Sequence, residues 1–169
     1  MARKMLRLIC VTGTPGSGKS TLTRRLAISL HCDYVDLNEA LKKAGLAESF
    51  DGERKCWVVN TDKMEEVADR IIRKYEDAEY LILDSHLSHD LPNTTVDLVI
   101  ITVCDIEMLA KRLRERGYDE KKVQENVQAE IFQVCAEEAK ENGHTMMVVD
   151  TTEEYRVEDI VSQVRGMLD

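Results

Sequence analysis

Positive charge is in short supply in this chain. There are 23 Lys and Arg against 32 Asp and Glu, a formal net charge of -9 at pH 7, with a pI near 5.0. Extended nonspecific contact with nucleic acid depends on Lys and Arg displacing counterions, so this balance argues against it, and a basic partner suits the surface better. The five cysteines, Cys10, Cys32, Cys56, Cys104 and Cys135, are scattered without a CxxC pair. That removes the usual spacing for zinc or dithiol chemistry, and the expected state is buried thiols in a reducing cytosol. Long apolar runs are missing as well. LICV, following the basic Arg3, Lys4 and Arg7, is too short for a signal-peptide core or a membrane span. A soluble, cytoplasmic protein with no membrane partner is expected. No internal repeat, low-complexity tract or shift in composition divides the chain, so residues 1–169 are read as one domain.

What is present is a good core-forming composition, with 43% hydrophobic and 33% charged residues. Apolar runs alternate with helical patterns from end to end, the signature of an α/β domain built on a parallel sheet. Strands are expected over residues 6–12, 33–37, 80–84, 96–103 and 145–150, five in all. Helices are expected over 19–30, over 38–44, from Asp62 to about Tyr75, around Ile106, Leu109 and Leu113 facing inward, and in a last segment ending near Leu168. A longer helix should carry Val123, Val127, Ile131, Val134 and Cys135 on its inner face. Residues 45–61, interrupted by two glycines, read as a loop-rich segment.

Between the first strand and helix stands GTPGSGKST, Gly13 to Thr21, which fits G-x-x-x-x-G-K-[ST]. Glycines admit dihedrals that other residues resist and expose N–H groups, so such a loop wraps an anion at the positive end of the following helix. Gly13, Pro15, Gly16, Ser17, Gly18, Lys19, Ser20 and Thr21 are therefore candidate ATP-binding residues. Lys19 would reach the β- and γ-phosphates and the Ser20 hydroxyl would bind magnesium. The competing reading, a glycine-rich structural turn, does not require the flanking strand and helix.

Asp84 closes a buried aliphatic run at the carboxyl edge of the expected sheet, where doubly wound folds bind ligands. A carboxylate there can hold magnesium through its water shell, and the alternative is a cap on a turn or helix. His86 follows, as either a hydrogen-bond donor or a proton acceptor near the phosphates. His89 is read as loop surface, because two histidines without a third soft ligand make a poor transition-metal site. Arg112 and Arg116 lie one helical turn apart, suited to the charge that spreads over oxygens during phosphoryl transfer. A solvated basic helix end explains the same spacing.

Taken together, GTPGSGKST, DSH before Pro92, RLRERGY and EKKVQENVQAEIFQVCAEEA resemble the adenylate kinase isoenzyme 6 family, including its archaeal branch. The similarity runs almost ungapped from about Leu6 to Leu168, and its RGY to AEIFQV part is more specific than the glycine loop. The resemblance implies a three-layer P-loop NTPase fold of the nucleoside monophosphate kinase type, with a short lid. It implies Mg2+ and ATP as phosphoryl donor, transfer to AMP, some ATPase activity, and a part in maturing the small ribosomal subunit through a ribosomal protein. Arg116 matches a lid arginine beside ATP, with the lid at about 115–125. Residues of about 36–62 match the monophosphate-binding arm, where SFDGERKC resembles an acidic arm around Asp51 and Cys56. Asp84 and His86 match a D-x-H motif near magnesium and phosphates.

Arginines that clamp AMP in mainstream adenylate kinases have no counterpart in DLNEALKK or DSHLSHDLP, as in the resembling family. Lys42, Lys43, Arg54 and Lys55 are candidates to replace them, each with solvated surface as the alternative. The short lid has no cysteine, which excludes a zinc-pinned lid. The function expected is transfer of the γ-phosphoryl of MgATP to AMP, giving ADP, with Lys19, Arg112, Arg116 and His86 serving the reaction and Ser20 and Asp84 the metal. The alternatives are a nucleotide-switched ATPase acting on a basic ribosomal protein, and a kinase for another small acceptor.

Overall fold

A computed structural model describes residues 6–51 and 56–169. Its centre is a five-stranded parallel sheet in the order β2-β5-β1-β6-β7. The strands are β1 (Arg7–Gly13), β2 (Asp33–Asp36), β5 (Tyr80–Asp84), β6 (Leu98–Val103) and β7 (Met146–Asp150). β1 pairs with β5 from Arg7↔Tyr80 to Val11↔Asp84 and with β6 from Ile9↔Leu98 to Gly13↔Thr102. Being covered on both faces, the central strands are continuous apolar runs rather than alternating ones.

Their side chains divide by parity between two cores. Ile9, Val11, Ile82 and Ile100 face α1 (Lys19–Leu30) and α7 (Val157–Leu168), meeting Leu22, Leu26, Ile160 and Val164. Leu8, Cys10, Leu81, Leu83 and Val99 face the other way, toward α2 (Leu37–Lys43), α3 (Thr61–Lys74) and α6 (Val134–Glu141). Helix, sheet, helix is the three-layer P-loop arrangement. Each fully buried Leu or Ile contributes about 1.5–3 kcal/mol. A satellite core of Cys104, Leu109, Leu113 and Val123 joins α4 (Ile106–Glu115) to α5 (Glu120–Ile131). Caps mark the helix starts: Asn60 accepts from the Asp62 and Lys63 amides at α3, and Asp105 and Asp119 do the same at α4 and α5.

The expected strands all form, within two residues of their expected ends, but three expectations change. Residues 45–61 are not mainly loop: β3 (Ala47–Asp51) and β4 (Cys56–Val59) pair antiparallel as a two-stranded sheet. Gly45, at φ 69, carries the chain out of α2 instead of interrupting a strand, and CWVV has the β-branched and aromatic content that favours extension. The long helix expected to hold Val123 to Cys135 is two helices. Gln133, at φ 50, breaks it, so α5 packs on α4 while α6 turns under the sheet. Ile131 and Phe132 at the break are 52% and 71% exposed. Ile106, expected to face inward, is exposed in the first turn of α4, while Leu109 and Leu113 are buried as expected. Cys10 and Cys104 are buried thiols, whereas Cys32 and Cys135 are half-buried. No helix among the described residues is long and apolar enough to cross a membrane.

Candidate active site

The glycine loop leaves β1 through Gly13, whose φ is 148. A Cβ there would lie 2.6 Å from the Thr102 carbonyl oxygen and 2.7 Å from Ser17 Oγ, so no other residue permits this close approach. Gly18, at φ 88, stands at the N-cap of α1 with no side chain capping the helix. The N–H groups of the first turn are left for a ligand of opposite charge.

The rest of the loop is locked from behind. Thr102 Oγ1 donates to the Thr12 carbonyl at 3.2 Å, so in the 2.6 Å contact between Ser17 Oγ and Thr102 Oγ1 it is Ser17 that donates. Thr151 donates to the Ser17 carbonyl at 2.6 Å. Arg112 donates to the Gly16 carbonyl at 3.3 Å and the Thr151 carbonyl at 3.0 Å. Thr14 donates to Glu130 Oε2 at 2.6 Å, and the other oxygen of that carboxylate accepts the Cys104 amide at 2.9 Å. The ends of β6 and β7 and the helices α4 and α5 therefore all hold one loop.

In front of the loop opens a cavity of about 710 Å³ at the carboxyl ends of β1, β2 and β5. Pro15, Lys19, Ser20 and Asp84 line its floor, Asp36, Asn38, Ser85 and His86 one wall, and Arg116, Tyr118, Lys122, Glu125 and Asn126 the other. Lys19 Nζ donates to the carbonyls of Gly13 at 2.9 Å and Thr14 at 3.4 Å. Burial lowers its pKa, an effect that the Asp84 carboxylate opposes. Asp84, 7% exposed, faces Asp36 across the β5–β2 register. Burial raises the Asp84 pKa, the Ser20 hydroxyl and Lys19 oppose the rise, and the Asp36 charge adds to it. Both groups thus hold their charges against desolvation. A phosphate beside Lys19 and a cation beside Asp84 would each relieve that cost. The oxygen donors, the Ser20 hydroxyl and the Asp84 carboxylate, suit magnesium.

On the first wall, Leu87 N–H donates to Ser85 Oγ at 3.0 Å, Ser85 Oγ donates to Asn38 Oδ1 at 2.9 Å, and Asn38 Nδ2 lies 3.2 Å from His86 Nδ1. His86 lies exposed on this wall, where partial desolvation and then the Lys19 charge lower its pKa. On the second wall, Arg116 caps the C-terminus of α4. Its guanidinium makes no hydrogen bond or ion pair among the described residues. Arg114 closes the intervening turn onto Glu120 at 2.7 and 3.1 Å.

Of the residues marked in the sequence, Pro15, Lys19, Ser20, Asp84, His86 and Arg116 meet at the cavity. Gly13, Gly16, Ser17 and Gly18 form the loop behind it, and Thr21 is exposed on the first turn of α1. Arg112 stands apart from Arg116: it is half-buried with its guanidinium spent on the loop backbone. The reading of His89 as loop surface is wrong. It is 2% exposed, with Nδ1 at 2.9 Å from Thr12 Oγ1 and Nε2 at 2.8 Å from Glu138. Lys42 reaches Glu39 at 3.2 Å on the outer face of α2, and Lys43 is exposed there. Arg54 and Lys55 lie outside the described residues, as do the side chains of Asp51 and Cys56.

Sequence reasoning missed Asn38, Ser85 and Glu130. Glu130 had a signal, because it shares one helical stripe with Val123 and Val127 and is a carboxylate where an apolar residue is expected.

A parallel sheet of this order, with this loop and a carboxylate on the neighbouring strand, defines a P-loop nucleotide kinase fold. A family model described as AAA domain matches residues 9–133. Shikimate kinase from Bacteroides thetaiotaomicron superposes with a TM-score of 0.63 at 17% identity, covering 96% of this chain and 98% of that one. Closer relatives narrow the class. "Putative adenylate kinase" of Methanocaldococcus jannaschii is 38% identical over 93% of this chain and 85% of its own length. Adenylate kinase isoenzyme 6 homolog FAP7 of Saccharomyces cerevisiae is 34% identical over 96% and 81%. The chain belongs to this adenylate kinase isoenzyme 6 family.

Proposed function

We propose that this protein transfers the γ-phosphoryl group of ATP to AMP, giving two ADP, with slower transfer to water. The observation that carries this reading is that Lys19, Ser20, Asp84, His86 and Arg116, from distant parts of the chain, open on one cavity. The loop amides and Lys19 bind the donor phosphates, and the Ser20 hydroxyl, together with Asp84 acting through water, would hold magnesium. Magnesium, when bound, neutralises phosphate charge and orients the donor. Arg116 approaches the migrating charge from the lid, at about residues 115–125, and the arm, at about 36–62, is assigned the acceptor. Arg112 acts through the loop it holds, by its bonds to Gly16 and Thr151. The chain supplies position and charge, and forms no covalent intermediate.

The described acceptor wall carries Asn38, Ser85 and His86 and no arginine. That composition, with the net charge of -9, favours a second reading. In it nucleotide turnover shifts the lid and arm and releases a basic ribosomal protein during maturation of the small subunit. Product analysis separates the two. ADP formation that requires added AMP supports the kinase. Steady phosphate release without AMP that responds to the ribosomal protein overturns it in favour of the switch. A panel of small acceptors tests for a substrate other than AMP.

A further inference from the structure

Three polar residues on the acceptor wall form a hydrogen-bond chain that runs in one direction, with the Asn38 amide oxygen toward Ser85 and its nitrogen toward His86. The Leu87 amide can only donate, and it donates to Ser85 Oγ at 3.0 Å. Ser85 Oγ in turn donates to Asn38 Oδ1 at 2.9 Å. With its oxygen so engaged, the Asn38 amide turns its nitrogen to His86 Nδ1 at 3.2 Å. An amide nitrogen offers hydrogens and no lone pair, so Nδ1 must accept. The imidazole proton of a neutral His86 then sits on Nε2. Nε2 has no hydrogen-bond partner among the described residues, and its side chain lines the cavity with Lys19 and Asp84.

We propose that Ser85 and Asn38 are positioning residues that hold His86 as a donor through Nε2–H, aimed at phosphate oxygens, and not as a base. A general base needs a lone pair facing the substrate, and this wiring places the lone pair on the Asn38 side. The inference deepens the kinase reading, on which its catalytic consequence rests. It also says what occupies this wall where arginines are missing: a neutral donor of fixed direction, which binds a phosphoryl oxygen without adding charge to the one supplied by Lys19.

Long-range proton–nitrogen NMR of the nitrogen-15-labelled protein, without nucleotide and above pH 7.5, reads the two ring nitrogens separately. Nε2 is expected protonated and Nδ1 bare. Asn38→Asp puts an acceptor in place of the donor, and Nδ1 should gain a proton. A proton on Nδ1 in the parent protein, or an Nδ1 still bare in Asn38→Asp, overturns the assignment. Ser85→Ala frees the Asn38 amide to turn, and should leave Nδ1 partly protonated; an unchanged ring would remove Ser85 from the scheme. Dispersed amide spectra show that each variant folds. In turnover, Asn38→Asp should lower kcat about 10–100-fold, with KM for ATP within about twofold; an unchanged kcat rejects the catalytic role. The nucleotide-free spectra do not depend on the acceptor. If the parent protein fails to phosphorylate AMP, the kinase reading falls while the ring assignment is judged separately.

Discussion

The two sides of the cavity are built differently. Behind the donor loop the contacts are many and come from several elements: Thr102, Thr151, Arg112 and Glu130 each hold a different atom of residues 12–17, from β6, the end of β7, α4 and α5. On the wall proposed to face the acceptor, one file of single hydrogen bonds runs from Leu87 through Ser85 and Asn38 to His86. Phosphates of the donor are the same in every turnover, and a preformed cradle binds them without reorganising. An acceptor is chosen by a small number of polar groups, so changes on that wall should redirect chemistry while changes behind the loop should cost stability.

That contrast can be broken in several places. The largest effect should come from Lys19→Ala, which removes the cation in the loop mouth and lowers turnover by about 1000-fold, with the far-ultraviolet circular dichroism unchanged; retained activity would end the donor-site assignment. Arg116→Ala should lower kcat by about 100-fold with a much smaller change in nucleotide affinity by calorimetry. Equal losses in both would make Arg116 a binding residue only.

Structural effects follow. His89→Ala deletes a buried ring bonded at both nitrogens, and should cost about 2–4 kcal/mol in urea unfolding, whereas a surface histidine would cost nearly nothing. Glu130→Ala leaves the Thr14 hydroxyl and the Cys104 amide unpaired and should cost about 1–3 kcal/mol. A fall in activity without this loss of stability would move Glu130 from the frame to the chemistry.

The smallest effect has the opposite sign. The folded-state pKa of Asp84 lies above its ordinary value, so the folded state binds more protons than the unfolded one between the two values, and stability falls as pH rises through that window. At neutral pH the ionised carboxylate is a net cost. Asp84→Asn should therefore raise the urea midpoint at pH 7 while abolishing magnesium-dependent turnover; a lower midpoint would mean that Asp84 serves the fold rather than the metal.

Strands were legible because the central ones are covered on both faces, which forces unbroken runs such as YLILD and LVIITV. The glycine loop was legible because its geometry admits few residue types. The break at Gln133 was not, since a left-handed glutamine has no composition of its own to announce it. Nor was the difference between His86 and His89, three residues apart in one segment, because burial depends on what packs from elsewhere. Glu138 on α6 and Thr12 on β1 claim His89, while Asn38 on α2 claims only one nitrogen of His86.

Local chemistry, then, settled what is local: strand and helix periodicity, the phosphate loop, and a carboxylate at the end of a buried strand. Which side chains share a cavity, which arginine is spent on the backbone, and which nitrogen of His86 meets Asn38 were settled only by tertiary structure. Those properties depend on partners dozens of residues away in the chain, and a hydrogen bond exists only where folding brings both of its atoms within about 3 Å.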